Sequence, residues 1–409
     1  MPDYRVKPEL AVSEPEEVNV ASGVVATGRS GVAVASAAAE GRMPTLVCAK
    51  KREIETCFAY NRKGHLPSTN CLESSLTIAR SKTEIRTMNY RKIGKTGLNV
   101  SEVGFGAWGI GKGLWVGASD DESVKALHRA FDLGLNFVDT ALRYGDGHSE
   151  NLVGKTVKER SEQISVATKV PPKNGQWPAQ SGVPAMKAFP AEHVIACTEE
   201  SLRNLGLEKI DVQQFHVWSD EWVGEGDWLD AIQKLKEQGK IRNFGISIND
   251  YQPENAIRLI ETGVVDAVQV IYNIFEQAPE DKLFPACQKH QVGVIVRVAL
   301  DEGGLTGQIT PETRFEDGDF RGRYFRGDRK QQVYAHVQKI VADLGIRLDQ
   351  MAETALRYVL SHDAVSTVIP GMRSVKNVER NCRLGDGRGL PKKVVEQLKA
   401  HRWARNFYQ

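Results

Sequence analysis

The sequence predicts an α/β fold: a (β/α)8 TIM barrel carried behind a disordered or weakly ordered N-terminal extension. Three observations lead there. Beyond residue 100, short runs rich in β-branched residues alternate with helical stretches to the C-terminus. Eight such β-then-α units fit the length available, since a parallel barrel takes about 250 residues with insertions adding to it. Residues 1–87, by contrast, keep no sustained period of 2 or 3.6.

Taken in order, the strands fall at 100–106, 136–141, 164–170, 212–217, 243–247, 267–272, 293–300 and 365–370. Helices at 119–133, 149–159, 191–205, 229–237, 253–261 and 281–290 separate them, and two more, 329–344 and 349–360, precede the last strand. Ahead of the barrel lie small residues and then a basic, mixed segment, AKKREIETCFAYNRKGHLPSTNC. Composition changes at Met88, so the extension is taken as 1–87 and the barrel as 88–409. That change also makes Met88 a candidate natural start, which a mass measurement on the native N-terminus would check.

Composition excludes several classes. Lys plus Arg number 54 against 52 Asp plus Glu, a formal charge of +2 over 409 residues with no long block of one sign. Neither a nucleic-acid nor a membrane partner is expected. The six cysteines include no pair at the spacing of a zinc knuckle or a thioredoxin motif. Cys48, Cys57, His65 and Cys71 fit no common zinc arrangement, so no metal is expected. No apolar run approaches the ~20 residues of a membrane span. The Ala/Val/Gly/Ser stretch 21–39 contains Arg29 and follows Glu14, Glu16 and Glu17, which is unlike a signal peptide. A reducing, cytoplasmic location is the expectation.

The chemistry of such a barrel sits where its strands end. Asp139 ends the second strand, Lys169 the third and His216 the fourth, and Tyr144 follows Asp139 in the next loop. One acid or lysine at a strand end is more often structural than catalytic. Four such groups on one rim are harder to assign to structure alone. Unpaired charges in a barrel cost several kcal/mol, so Asp139 and Lys169 are expected to pair. A lysine ammonium beside the Tyr144 hydroxyl favours the phenolate and lowers its pKa, making it a usable proton donor.

The runs FVDTALRYGDGHSENLVG, ATKV and QFHVW resemble, in this order, the signatures of the aldo/keto reductase family, and the resemblance extends from about Asn89 to the C-terminus. It implies a reductase in which Tyr144 is the general acid, Lys169 and Asp139 tune it, and His216 orients the carbonyl of a small-molecule aldehyde or ketone. It also implies a nicotinamide cofactor. Ser247 in FGISIN and Gln269 in VQVIYN match positions that hold the carboxamide, although Ile248 stands where an asparagine is usual and Asn249 comes one place later. In VRVALDEGGLTG, Arg297 replaces an aromatic that stacks on the nicotinamide in many relatives, and Leu300 and Leu305 match further cofactor positions. The segment VIPGMRSVKNVERN resembles the adenosine-phosphate site, with Gly371, Arg373, Ser374, Asn377 and Asn381 as contacts. Arg373 and the helix N-terminal amides suit a 2′-phosphate, and Arg380 replaces a common acid, so NADP is the expected cofactor.

Gly104, Gly106 and Gly109 spell G-x-G-x-x-G, but Gly111 and Gly113 follow and no acid closes a second strand, so they are read as the first βα loop. Trp108, Trp115 and Trp218 fall in loops expected to line the mouth, with Trp108 and Trp218 as substrate contacts. A nucleotide-binding regulatory subunit and a metal-dependent lyase or isomerase are the competing functions. The full set of Asp139, Tyr144, Lys169 and His216 argues against the first, and the lack of a visible carboxylate or histidine cluster argues against the second. Substrate choice lies in rim loops such as 171–189 and 301–328, which sequence does not shape.

Overall fold

The computed structural model describes residues 88–409 in full and, before them, the backbone of four short strands. Those strands, Val24–Val25, Val32–Ala35, Thr45–Lys51 and Ile54–Tyr60, pair antiparallel in chain order. They were absent from the sequence expectation; their runs VV, VAVA, TLVCAKK and IETCFAY hold enough β-branched and apolar residues for pairing. The rest of 1–87 lies outside the described residues. Two units divide the chain, Met1–Thr83 and Glu84–Gln409.

The second unit is the barrel. Its strands are β1 (Phe105–Gly106), β2 (Phe137–Asp139), β3 (Ser165–Val170), β4 (Ile210–Phe215), β5 (Ile241–Ser247), β6 (Ala267–Ile271), β7 (Gly293–Arg297) and β8 (Val365–Val368). Every neighbouring pair is parallel. Bridges Val103↔Val368 and Gly106↔Gly371 bring the first strand against the last and close the ring. Gly106 is required there, because a Cβ would stand 2.5 Å from the Ile369 carbonyl oxygen.

The first predicted strand, 100–106, is in fact two elements. Asn99–Ser101 pairs back on Tyr90–Lys92 as a hairpin, and only Phe105–Gly106 joins the barrel. Packing explains the split. Ile93, Leu98 and Val100 are buried against the inward Phe137, Ala167, Val212, Ala267 and Ile295, so the hairpin plugs one end of the barrel with apolar side chains. The opposite end is left for polar groups.

Outside the ring run α1 (Asp120–Asp132), α2 (His148–Lys158), α3 (Ala191–Leu205), α4 (Trp228–Glu237), α5 (Ile257–Glu261), α6 (Leu283–His290), α7 (Arg329–Leu344), α8 (Met351–Leu360), α9 (Val375–Cys382) and α10 (Lys392–Lys399). Apolar faces at helical spacing bury them; Ala126, Leu127, Ala130 and Phe131 do so for α1. The boundaries of α1 to α8 lie within a few residues of the sequence reading; α9 and α10 had no predicted range. Strand alternation does the rest: in β3, Ala167 and Lys169 face the interior while Val166 and Thr168 meet the helices.

Candidate active site

Register gathers the polar side chains at the open end. Lys169 stands beside Gln214, Gln214 beside Gly245, and Ser247 beside Gln269 on adjoining strands. Asp139, at the end of β2, sits at the centre. Its Oδ2 takes the Lys169 ammonium at 2.5 Å, and its Oδ1 takes amide protons from Gln214 at 3.1 Å and Gln269 at 2.8 Å. Lys169 also donates to the Thr140 carbonyl at 2.8 Å and to the Tyr144 hydroxyl at 3.3 Å. All four of Asp139, Lys169, Gln214 and Gln269 are buried. A buried ion pair held by four further hydrogen bonds satisfies the condition under which such pairs persist.

The predicted pairing of Asp139 and Lys169 is therefore present, and Tyr144 is their neighbour. The expected lowering of the Tyr144 pKa is not. Burial pushes this hydroxyl above its ordinary value, and the pull of Lys169 only partly offsets that. Lys169 itself feels burial as a downward push, yet the charge of Asp139 and the proximity of Tyr144 outweigh it and the ammonium is held. His216 is driven well below 6.5, chiefly by burial and then by the charges of Lys169, Arg297 and Arg143. It is a neutral imidazole near pH 7, and its Nδ1 has no partner among the described residues.

Aromatic rings wall this corner. Trp108 stacks near Tyr144 at 6.1 Å, His216 meets the Tyr144 ring edge-on at 5.6 Å, and Trp177 meets His216 at 4.2 Å. They border a cavity of about 1270 Å³, running from Asp139, Tyr144 and His216 past Ser247, Gln269, Arg297 and Leu300 to Gly371, Arg373, Asn377, Arg380 and Asn381. Such a volume exceeds the ~300–1,000 Å³ of ordinary small-molecule sites and leaves room for a dinucleotide beside a substrate.

The remaining predicted residues divide. Trp108 lines the cavity, as expected. Trp218 does not: it is fully buried among Phe215, Trp222 and Trp228, with its indole N–H on Asp220 at 2.9 Å. Leu305 is likewise core. Its leucine neighbour Leu300 reaches the cavity. Gln269 faces the cavity but gives its amide to Asp139 and Gln214, so it belongs to the charge-balancing hub. Arg297 is anchored on Asp250 at 2.6 Å and on the Ile248 carbonyl at 3.0 Å. Ile248 is core, and Asn249 ties the Ala179 backbone with bonds of 3.0 and 3.1 Å. Neither stands in for the usual asparagine.

At the far end, Ser374 caps α9 by accepting from the Asn377 N–H, while the Val375 N–H donates to Glu122 Oε1 at 3.1 Å. The helix amide expected to hold a phosphate is thus taken by a carboxylate. Arg373 lines the cavity, donates to the Val116 carbonyl at 2.7 Å and lies over the Trp115 ring at 5.4 Å. Gly104 and Gly106 close the barrel, and Gly109 packs on Arg373, so the glycine run holds no dinucleotide fingerprint.

Sequence reasoning missed Gln214, Trp177, Phe320, Tyr408 and Glu122. Only Gln214 carried a signal, a polar residue two places along from the inward Val212 on the same strand. The others come from rim loops, from the first turn of α1 or from the tail, which topology alone brings to the site. Among the described residues, no group of three His, Cys, Asp or Glu side chains could hold a metal ion. No helix there is long and apolar enough to cross a membrane.

A closed parallel barrel with a lysine–carboxylate–tyrosine hub at its open rim, beside a cavity of dinucleotide size, defines a class of barrel-borne oxidoreductases. Residues 102–402 match the Aldo/keto reductase family. The chain belongs to that family, whose members work with nicotinamide cofactors. It is 32% identical to the L-galactose dehydrogenase of Arabidopsis thaliana over 306 residues, covering 71% of this chain and 86% of that protein. To the NADH-specific methylglyoxal reductase of Escherichia coli (strain K12) it is 31% identical over 301 residues, covering 71% and 91%. The solved holo form of aldo-keto reductase AKR11C1 from Bacillus halodurans superposes with a TM-score of 0.61 at 26% identity, covering 78% of this chain and 97% of that one.

Proposed function

We propose that the protein is an NADPH-dependent carbonyl reductase, running as an alcohol dehydrogenase in reverse, on small aldehydes or ketones. One observation carries the reading: the Lys169 ammonium is shared between Asp139 and the Tyr144 hydroxyl at the cavity wall. When bound, the cofactor would supply the hydride for the carbonyl carbon. Tyr144 gives its proton to the carbonyl oxygen as negative charge develops there, so the alcohol carries both. Lys169 stabilises the phenolate left behind, and Asp139, held by Gln214 and Gln269, balances the lysine charge. Neutral His216 offers a ring N–H to the same oxygen, and Trp177 holds its ring. Trp108 and Trp177, which border the cavity, would pack the body of the substrate.

Family membership does not decide the cofactor, since the E. coli relative is named NADH-specific. Arg373 and Arg380 at the cavity end support NADPH, because guanidinium groups pair well with phosphate. With the Val375 amide on Glu122, these side chains and not the helix terminus would read the 2′-phosphate. Ser247, Arg297, Leu300, Asn377 and Asn381 would hold the remainder. The buried, unpaired thiols of Cys197, Cys287 and Cys382 suit a reducing cytoplasm. The test is cofactor oxidation with a panel of aldehydes and ketones, run with NADPH and NADH in parallel. No turnover of any carbonyl with either cofactor would overturn the proposal; turnover with NADH alone would overturn its cofactor half.

A further inference from the structure

The run that leaves β7 is the most strained backbone at the cavity. Val298, Asp301 and Glu302 hold φ at 56°, 52° and 53°, and Gly303 follows at 104°. Left-handed φ is uncommon for any side chain and a genuine outlier for a β-branched one. Such conformations persist only where surrounding contacts over-determine them. Here the run lines the cavity through Val298, Leu300, Glu302 and Gly303.

Two side chains from the last residues of the chain restrain it, on Asp301 and on Glu302. Asp301, fully buried, accepts from Arg405 at 2.5 Å and from the Tyr324 hydroxyl at 2.8 Å. The Tyr408 hydroxyl donates to Glu302 Oε1. Arg405 is itself fixed, its guanidinium 4.5 Å from the Trp403 ring centre and 4.3 Å from that of Phe407, with further bonds to the hydroxyls of Tyr324 and Tyr251. The tail backbone is tied down as well: Arg329 holds the Phe407 carbonyl at 2.7 Å, and Arg326 holds that of Gln409 at 2.6 Å. Asn273, which donates to the Val298 carbonyl at 2.9 Å, is a further brace from outside the tail, as is Tyr324. Residues 403–409 lie beyond the stretch that matches the family, 102–402.

We propose that the C-terminal tail is a clamp that holds the 298–303 run in its left-handed form, making Arg405 and Tyr408 positioning residues for the bound nicotinamide dinucleotide. The proposal rests on reading the cavity as the cofactor site. Its logic is local. Once Asp301 and Glu302 lose their tail partners, the run relaxes toward ordinary φ, and the cavity wall it forms changes shape. Affinity for the cofactor falls because the site must then be rebuilt at each binding event. The catalytic hub does not depend on the tail, since Asp139, Lys169, Gln214 and Gln269 bond among themselves.

Tyr408→Phe and Arg405→Met are the variants, with NADPH dissociation constants read by quenching of tryptophan fluorescence and aldehyde KM read at saturating cofactor. Tyr408→Phe removes one hydroxyl near the chain end and leaves the ring against Phe320 and Tyr324. It should weaken NADPH binding by about threefold to tenfold, the range of one lost hydrogen bond. Arg405→Met, which strands a buried carboxylate, should weaken it more, and Arg405→Lys should recover part of the loss. Because Tyr408 acts through Glu302, pairing its variant with Glu302→Gln should add little to either change alone. If Arg405→Met does not fold, Tyr408→Phe decides. Folded tail variants with wild-type NADPH affinity overturn the clamp, and so does a raised aldehyde KM at unchanged cofactor affinity. Arg373→Ala is the control. If it loses NADPH while the tail variants do not, the clamp fails and the cofactor site stands; if neither loses it, the cofactor reading has failed.

Discussion

Tyr144→Phe separates proton donation from everything else the residue does. The change deletes one oxygen and keeps the ring, which contacts Trp108 at 6.1 Å and His216 at 5.6 Å and has Lys169 over it at 4.9 Å. The lost hydrogen bond is the 3.3 Å contact from Lys169, longer than the usual range and worth about 0.5 kcal/mol at the low end for such bonds. Lys169 keeps Asp139 at 2.5 Å and Thr140 at 2.8 Å, so no buried charge is stranded. Stability should therefore change by less than about 1 kcal/mol. Turnover should fall about 10²–10⁴-fold, the contribution of a positioned general acid, or roughly 3–5 kcal/mol of barrier. The assay is single-turnover reduction of an accepted aldehyde, with NADPH affinity measured separately by fluorescence. Turnover within tenfold of wild type would refute the assignment of Tyr144. So would a rate loss matched by an equal loss of cofactor affinity, because the variant would then have disturbed the site and not the proton.

The other predictions follow from the charges around the cavity. Arg373→Ala should weaken NADPH by about tenfold to a hundredfold, one or two charge-assisted bonds, and leave NADH nearly unchanged; Glu122→Gln should strengthen NADPH relative to NADH by removing a carboxylate beside the proposed phosphate site, and equal effects on both cofactors would refute either reading. Because burial holds Tyr144 protonated and His216 neutral, the rate of carbonyl reduction should be flat from about pH 6 to 9, whereas alcohol oxidation, which needs the phenolate, should rise with pH; a break near 6.5 in the reductive profile would mean that His216 titrates. Burial raises the Glu302 carboxyl from 4.5 to about 7, so the folded state holds a proton that the unfolded state releases, and stability falls as pH rises from 4.5 to about 7, by at most about 3 kcal/mol. Glu302→Gln removes that fall, so its melting temperature should gain on wild type at pH 8 and not at pH 4; a constant difference would show that Glu302 does not titrate there.

Periodicity carried the barrel: seven of the eight strands and the first eight helices fall within a few residues of where β-branched runs and amphipathic spacing put them. The first strand broke into a hairpin and a two-residue barrel strand because a plug was needed beneath Phe137 and Ile295, a demand of tertiary packing that no local window contains. Asp139, Tyr144, Lys169 and His216 were legible because strand ends in a parallel barrel share one rim. Trp218 was misplaced for a related reason: three residues past β4, a tryptophan can turn outward to the mouth or back into the helix layer, and Phe215, Trp222 and Trp228 make the second choice. The sign of the Tyr144 shift could not be read from neighbours alone. A lysine 3.3 Å away lowers it, but the same enclosure that brings the lysine close removes the water that would stabilise a phenolate, and the larger effect wins. Asp139 then takes on a second duty. It keeps Lys169 charged inside the barrel, but its own charge opposes the phenolate, and the amide protons of Gln214 and Gln269 draw part of that charge away. Replacing either glutamine by leucine would leave more of the Asp139 charge facing Tyr144, so the hub is tuned by two residues that act through Asp139.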